Sequence, residues 1–517
     1  MSEYTYHRDI PLPESFPEAP FAVINAHKHY WMTSHRQPGE KEAQAERLSR
    51  INAIIHDFCG EYVSDSVYHA AILMPLMDKF TDEIRSRNVM RSLKTFKDQS
   101  IAGEEADIYT FGLLANRHVI AEFWGSQRMD ISHKAEEKGL PGVVDALSPE
   151  RAGEPVDTLA WLYTPELTPL EPMQVFLREE VDIESLIIQA AELLEWLESD
   201  RAGNTGETLS YIYAAESLFA PLSEIIGLDG LASALLNACT RLRYTNAGQS
   251  VYLDRAAQVL EPPAYTDQLD ESVQAIFEAA LGETLYDTVL KNKSNHGIVI
   301  GEGFTHDDVR LIWRLKSQGS LARKLQKDGI GNVPLDIIGA TAILPDLELT
   351  AARFASMLAA VKEHPSLSLT PSPTRQQSAH VRGTPEHIEA FRIACGYDSR
   401  EDMERDIDVV DTTEKEGSST KATPYQVAKA TLVYTSPSGE KVNVEIQFNT
   451  EQDRIEARTG SAAHIAIKYL LEGQELNTDI LKWVNAQKHQ MKERELKPAS
   501  HARALRLMQA IDATQYA

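Results

Sequence analysis

Cysteine is almost missing from this chain: Cys59, Cys239 and Cys395 are its three copies in 517 residues. They lie too far apart for a CxxC pair or a local zinc knuckle, which argues against a disulfide framework and a cysteine metal site. The thiols are expected to be reduced and buried. There is no run of about 18 apolar residues to span a bilayer. The first residues, MSEYTYHRDIPLPESFPEAP, lack the basic start and apolar stretch of a secretory leader. A cytoplasmic location without membrane insertion is therefore expected. Basic charge is also scarce: 51 Lys and Arg stand against 77 Asp and Glu, a net −26. Such a surface repels nucleic acid except at a local basic patch, so wrapping of duplex or RNA is not expected, whereas a nucleotide pocket needs only a few cations. Internal repeats are absent as well.

What is present suits a globular chain of two to four domains, with 43% hydrophobic and 25% charged residues. From about Glu42 to Arg255 apolar residues recur at three-four spacing, as in AERLSRINAIIHDF and VDIESLIIQAAELLEWLES, which predicts an all-α half. Stretches rich in Gly, Pro and charge, such as EEKGLPGVVDALSPERAGEPVDT and ESDRAGNTGET, read as loops. After the helical run QLDESVQAIFEAALGETLYDTVL the period changes. Strands are expected at GIVIGEG, at Pro334 to Leu344, at Lys429 to Thr435 and at Lys441 to Asn449. The last two, separated by SPSGE, form an antiparallel hairpin. The expected fold is thus multidomain, an all-α half followed by an α+β domain with a mixed sheet. The polar, acidic stretch of about 366–423 reads as an insertion with a mobile end.

Period-two geometry places Val442, Val444, Ile446 and Phe448 on one face of the last strand, and Asn443, Glu445, Gln447 and Asn449 on the other. Glu445 is then either a solvated outer-face residue or part of a site. Asp336 opens the apolar run IIGATAIL. Two carboxylates on neighbouring strands suit Mg²⁺, which takes hard oxygen ligands from one or two carboxylates and substrate phosphates, and Asp336 and Glu445 are the natural pair. RLKSQGSLARKLQK sets Arg314 and Lys316 before Ser320, read as a helix N-cap, with Arg323, Lys324 and Lys327 in the following turns. This is either a solvated basic face or a phosphate site in which cations act with the helix N-terminus.

These segments are similar, in order and spacing, to the RelA/SpoT homologue (alarmone synthetase) family. RLKSQGSLARK resembles its RxKSxxSIxRK segment and LDIIGATAI its DxxGIR strand. VEIQFNT followed by GSAAHIAIKY resembles VEIQIRT and GxAAHxxYK, with His464 a motif residue read as packed structure. Tyr425 in PYQVAKATLVY falls where GYxSLH has its base-stacking tyrosine. The resemblance implies a nucleotidyltransferase-like domain that moves pyrophosphate from ATP to the ribose 3′-hydroxyl of GDP or GTP, making (p)ppGpp with Mg²⁺. It implies that Arg314, Lys316, Ser320, Arg323 and Lys324 hold the ATP phosphates. Asp336 and Glu445 would be catalytic and metal-binding, and Tyr425, Lys429 and Gln447 would bind the acceptor.

The chain departs from the family at Thr341, where DxxGIR has arginine, at Lys429 for the histidine of GYxSLH, and at Asn449 for the arginine of EIQIRT. Arg454 and Arg458 replace the following histidine and glutamate. Upstream, ESLFAPLSEIIGLDGLASALLNACTRLRY resembles the family's IYAPLAxRLGI linker, and AAILMPLMDKF its AALLHDxxED hydrolase helix. Met74 and Pro75 then take the metal-binding His-Asp positions, which implies a degenerate HD hydrolase-like half. A competing alignment keeps His56-Asp57 as the dyad, with His27 upstream. The implied domains are 1–265, helical; 266–475, synthetase-like; and 476–517, a helical tail, with no ribosome-sensing C-terminal domains. The expected partners are ATP and a guanine nucleotide, with a homo-oligomer or a protein regulator open. The departures leave two alternatives open, a nucleotide sensor without turnover and transfer to another acceptor such as tRNA.

Overall fold

A computed structural model describes residues 38–59, 63–82, 94–98, 105–163, 182–225, 228–265, 267–281, 310–370, 377–413 and 426–454. GIVIGEG, the 476–517 tail, His27, Tyr425, Arg458 and His464 lie outside the described residues. Among those described, helices come first and a mixed α+β arrangement follows. The chain divides into two units between Leu242 and Arg243. No described helix is long and apolar enough to cross a membrane.

The first unit is helical, as the three-four spacing implies: α1 (Pro38–Cys59), α2 (Asp65–Asp82), α3 (Glu105–Glu137), α4 (Pro141–Leu147), α5 (Thr158–Leu162), α6 (Ile183–Glu198) and α7 (Gly206–Ala214). A π-helical turn, Ala215–Phe219, carries α7 into α8 (Ala220–Ile225). α4 lies inside a stretch read as loop, because Val143, Ala146 and Leu147 give it an apolar side to bury. α6 pairs an apolar stripe with buried acids that bind its neighbours. Glu195 receives Arg47 and Arg50 from α1 and also Arg201. Glu184 accepts from the Ser64 amide at 2.8 Å and from the Tyr109 hydroxyl. A carboxylate out of water persists only with such charge-assisted partners.

Gly206 opens α7, and a Cβ there would land on the carbonyl of Ala146. Because the obstacle is backbone, no rotamer relieves it. Gly206→Ala is expected to cost about 3 kcal/mol, or roughly 6–12 °C in melting temperature. Thermal unfolding followed by circular dichroism checks this.

The second unit opens with the end of α9 (Asp229–Asn246) and continues through α10 (Ser250–Leu260) and α11 (Leu269–Leu281). Its sheet elements are β1 (Arg310–Leu315), α12 (Gln318–Asp328), β2 (Ile338–Leu344), α13 (Leu347–Glu363), β3 (Leu367–Leu369), β4 (Ala379–Gly383), α14 (Pro385–Ala394), α15 (Arg400–Met403), β5 (Ile407–Asp411), β6 (Val427–Thr435) and β7 (Lys441–Thr450). Its start at Arg243 differs from the sequence boundary after residue 265. The reason is packing: Leu253, Ala256 and Val259 of α10 join the core beneath the sheet.

The seven strands among the described residues form one sheet, in the order β1-β2-β7-β6-β4-β5, with β3 also paired to β6. β2 and β7 are parallel, and so are β4 and β5. The predicted hairpin is present as β6–β7, antiparallel from Ala428↔Phe448 to Thr435↔Lys441. The 366–423 stretch needs correction, since its described part supplies β3, β4 and β5 to the sheet and two helices besides. Val381, Ile388, Phe391, Met403 and Ile407 are buried, and this apolar set is too dispersed among charges to show as a period. One sheet face carries Ala340, Val444, Ile446, Phe448, Ala430 and Leu432 into the core against α13, whose Phe354 meets Phe391 and Phe448 edge-on.

His387 in α14 is buried over Gly383, its Nε2 has no hydrogen-bond partner among the described residues, and burial pushes its pKa down from 6.5 to about 4. The fold therefore favours the neutral ring. Its contribution is complete above pH 6.5 and is lost as pH falls from there toward 4, because the unfolded chain takes up the proton first. The loss is on the order of 3 kcal/mol. Urea midpoints at pH 7 and pH 5 should separate in the wild type and converge in His387→Leu.

Candidate functional site

The sheet face opposite the core is polar, and its register shows what shares it. Arg314, Gly339, Glu445 and Thr431 stand in one row across β1, β2, β7 and β6. The next row is Ile312, Thr341, Gln447, Lys429, His380 and Asp408, and beyond it stand the pairs Ile343↔Asn449 and Val427↔Arg382. The alternation read from KVNVEIQFN is present, with Glu445 and Gln447 partly exposed between buried Val444, Ile446 and Phe448.

Asp336 lies two residues before β2 and three before Gly339, the residue paired with Glu445. Lys316 directly follows β1, and its amide donates to the Ile337 carbonyl at 2.8 Å, bringing the end of β1 beside Asp336. Lys316 Nζ then reaches Asp336 Oδ2 at 3.0 Å, and Lys324 Nζ reaches Oδ1 at 2.7 Å. Across the face, Lys429 Nζ lies 3.1 Å from Glu445 Oε2 and Gln447 Nε2 donates to Oε1 at 2.8 Å. Lys429 and Gln447, both expected to bind the acceptor, thus hold the carboxylate expected to act on it.

The N-cap of α12 is Ser317 and not Ser320. Its backbone is extended, and its Oγ accepts from the Ser320 amide at 3.3 Å. Two serines three residues apart make either one a plausible cap in sequence, and only the backbone decides. Ser320 Oγ instead accepts from Arg323 at 3.4 Å, with the Arg323 side chain exposed. Helix α12 is buttressed by α10, where Gln318 donates to the Leu253 carbonyl at 3.0 Å, and by Tyr244, whose hydroxyl donates to Gln326. The cationic helix start is therefore held in place.

Burial pushes Lys316 below the usual lysine range, and the charges of Lys324 and Arg314 push the same way against the pull of Asp336. Burial alone would raise Asp336, but the charge of Lys316 and hydrogen bonds from both lysines outweigh it and leave the carboxyl below its usual range. The two partners move down for different reasons: Lys316 chiefly because it is buried, and Asp336 because two lysines share its single carboxylate. Such a cluster, set at the start of a helix, favours an added anion.

Asn449 and Asn443 have structural work that sequence did not show. Asn449, fully buried, donates through Nδ2 to the Gln426 carbonyl at 2.8 Å and fixes the chain entering β6. Asn443 donates to the Pro334 carbonyl at 3.0 Å, tying β7 to the loop that carries Asp336. Both partners come from distant segments, so the only signal was membership of the polar face. His380, Arg382 and Asp408 were also missed, because nothing in sequence placed β4 and β5 in this sheet.

In the helical unit, His56 Nδ1 lies 3.2 Å from Asp57 Oδ1 with both side chains exposed, and no group of three or more metal-ligating side chains occurs among the described residues. Met74 is buried in α2. Cys59, Cys239 and Cys395 form no disulfide with one another. Cys395 is half-buried, not buried as expected, and burial raises the Cys59 and Cys395 thiols to about 12 and about 11, which suits neither for nucleophilic work. Compared with protein-family models and with curated proteins, the sequence matches none.

Proposed function

We propose that the second unit is an ATP-dependent pyrophosphokinase of the alarmone-synthetase class, with GDP or GTP as acceptor. The observation that carries this proposal is the pair of lysines on Asp336 at the start of α12, beside the end of β1, whose Arg314 shares a row with Glu445. Phosphoryl-type transfer depends on positioning and charge neutralisation more than on covalent chemistry, and this arrangement supplies both.

In the proposed reaction Arg314, Lys316, Lys324 and Arg323 bind the triphosphate of ATP, aided by the backbone amides that open α12. The acceptor's 3′-oxygen attacks the β-phosphorus of ATP, the bond to the α,β-bridging oxygen breaks, and AMP leaves. Glu445, held by Lys429 and Gln447, takes the hydroxyl proton. Asp336 and Glu445 suit Mg²⁺ in donor chemistry, being hard oxygens on neighbouring chain segments, each with lone pairs beyond those its nitrogen partners use. Magnesium held there would neutralise charge developing on the phosphates. In the same proposal, the helical unit is an HD-like domain in which buried Met74 replaces a metal ligand.

The Lys429–Glu445 ion pair also favours a second reading, a sensor that binds nucleotide on this face without turnover, since Lys429 occupies an oxygen that would otherwise receive the hydroxyl proton. Incubation with Mg²⁺, γ-labelled ATP and GDP or GTP, followed by chromatography, separates the two. Label in a tetra- or pentaphosphate is the expected result. Nucleotide binding with no transfer would replace the enzyme with the sensor.

A further inference from the structure

Every oxygen of the two central carboxylates already holds a nitrogen. Asp336 Oδ1 and Oδ2 meet Lys324 and Lys316 at 2.7 and 3.0 Å, and Glu445 Oε1 and Oε2 meet Gln447 and Lys429 at 2.8 and 3.1 Å. Arg314 lies in the same row as Glu445, two strands away. Arg314, Lys316, Lys324 and Lys429 thus stand near these two carboxylates, with Arg382 and Asp408 farther along the same face. A bare divalent cation entering here adds charge of the sign already in excess, beside two ammonium groups that pair with no other carboxylate among the described residues. A polyphosphate meets the opposite situation, because its oxygens offer Lys316 and Lys324 a stronger anionic partner than the single carboxylate they share.

We infer that Asp336 is a conditional metal ligand: Lys316 and Lys324 withhold it from divalent cations until a polyphosphate draws the two lysines away. This rests on the proposed phosphate site and adds an order of events to it. The metal joins Asp336 only together with the nucleoside triphosphate, so the free protein carries no resident ion at this position. The device is local. The Lys316 backbone is fixed by the hydrogen bond its amide donates to the Ile337 carbonyl and Lys324 by the well-anchored α12, so each ammonium can swing between Asp336 and a neighbouring phosphate without movement of the sheet.

The test titrates Mn²⁺ into the full chain and follows free ion by electron paramagnetic resonance, with and without saturating inorganic triphosphate, after correction for Mn²⁺ bound by triphosphate alone. The wild type is expected to show no Asp336-dependent site for Mn²⁺ alone and one site per chain with triphosphate, lost in Asp336→Asn. A Lys316→Met, Lys324→Met double variant should take up Mn²⁺ without triphosphate, at least tenfold more tightly than the wild type does, and lose it again when Asp336→Asn is added. Uptake of Mn²⁺ alone by the wild type, abolished by Asp336→Asn, would overturn the inference while leaving pyrophosphate transfer intact. So would a folded double variant that still refuses the ion. Failure of the transferase proposal reads out separately, as absence of labelled product in the nucleotide assay.

Discussion

Glu445→Gln is expected to lower kcat for pyrophosphate transfer at least about 100-fold while ATP affinity stays within a few-fold, since general-base contributions commonly reach that size. The substitution keeps the shape of the side chain and its place opposite Gly339 and Thr431. What it removes is the charge that holds Lys429 at 3.1 Å and the basicity needed at the 3′-hydroxyl. Lys429, released, adds positive charge to the face, so ATP binding has no reason to weaken. A loss confined to kcat identifies Glu445 with the chemical step. A matching rise in KM for ATP with unchanged kcat would mean that it only shapes the phosphate site.

The second large effect concerns the layer beneath the site. Phe354 of α13 is fully buried, with ring centroids 5.4 Å from Phe391 and 5.5 Å from Phe448, both edge-to-face. Phe354→Ala removes a large side chain from a closed core and leaves a cavity between α13, α14 and β7. The expected cost is about 3–5 kcal/mol, which includes the aromatic pairing. Urea unfolding should show the midpoint shifted with the slope unchanged. A loss below about 1 kcal/mol would mean that the core collapses around the gap. Phe448 points to this core while its neighbours Gln447 and Asn449 point to the polar face, so the same strand carries stability on one side and the site on the other.

Much of this was legible in sequence where a local period carried it. The helices of the first half, the β6–β7 hairpin and the polar row Asn443, Glu445, Gln447 and Asn449 all follow from spacing. So did the grouping of Arg314, Lys316 and Lys324 in one cationic cluster, although not the two ion pairs that join Lys316 and Lys324 to Asp336. The 379–411 region was not legible, because β4 and β5 are five residues each and their apolar positions are set among charges. The cap of α12 was misplaced because a serine pair spaced by three fits two registers. The partners of Lys429 and Asn449 are tertiary facts. Lys429 finds Glu445 only through antiparallel pairing across the hairpin, and Asn449 finds Gln426 only because β7 ends beside the start of β6.

The measurement that bears most directly on the central claim, a polyphosphate site built on the cations around Asp336, is isothermal titration of ATP into the full chain and into Lys316→Met, with Mg²⁺ present. Binding to the wild type with a Kd at least tenfold tighter than to a folded Lys316→Met variant is the expected result. Equal affinity in the two proteins, or no binding to the wild type, would contradict it.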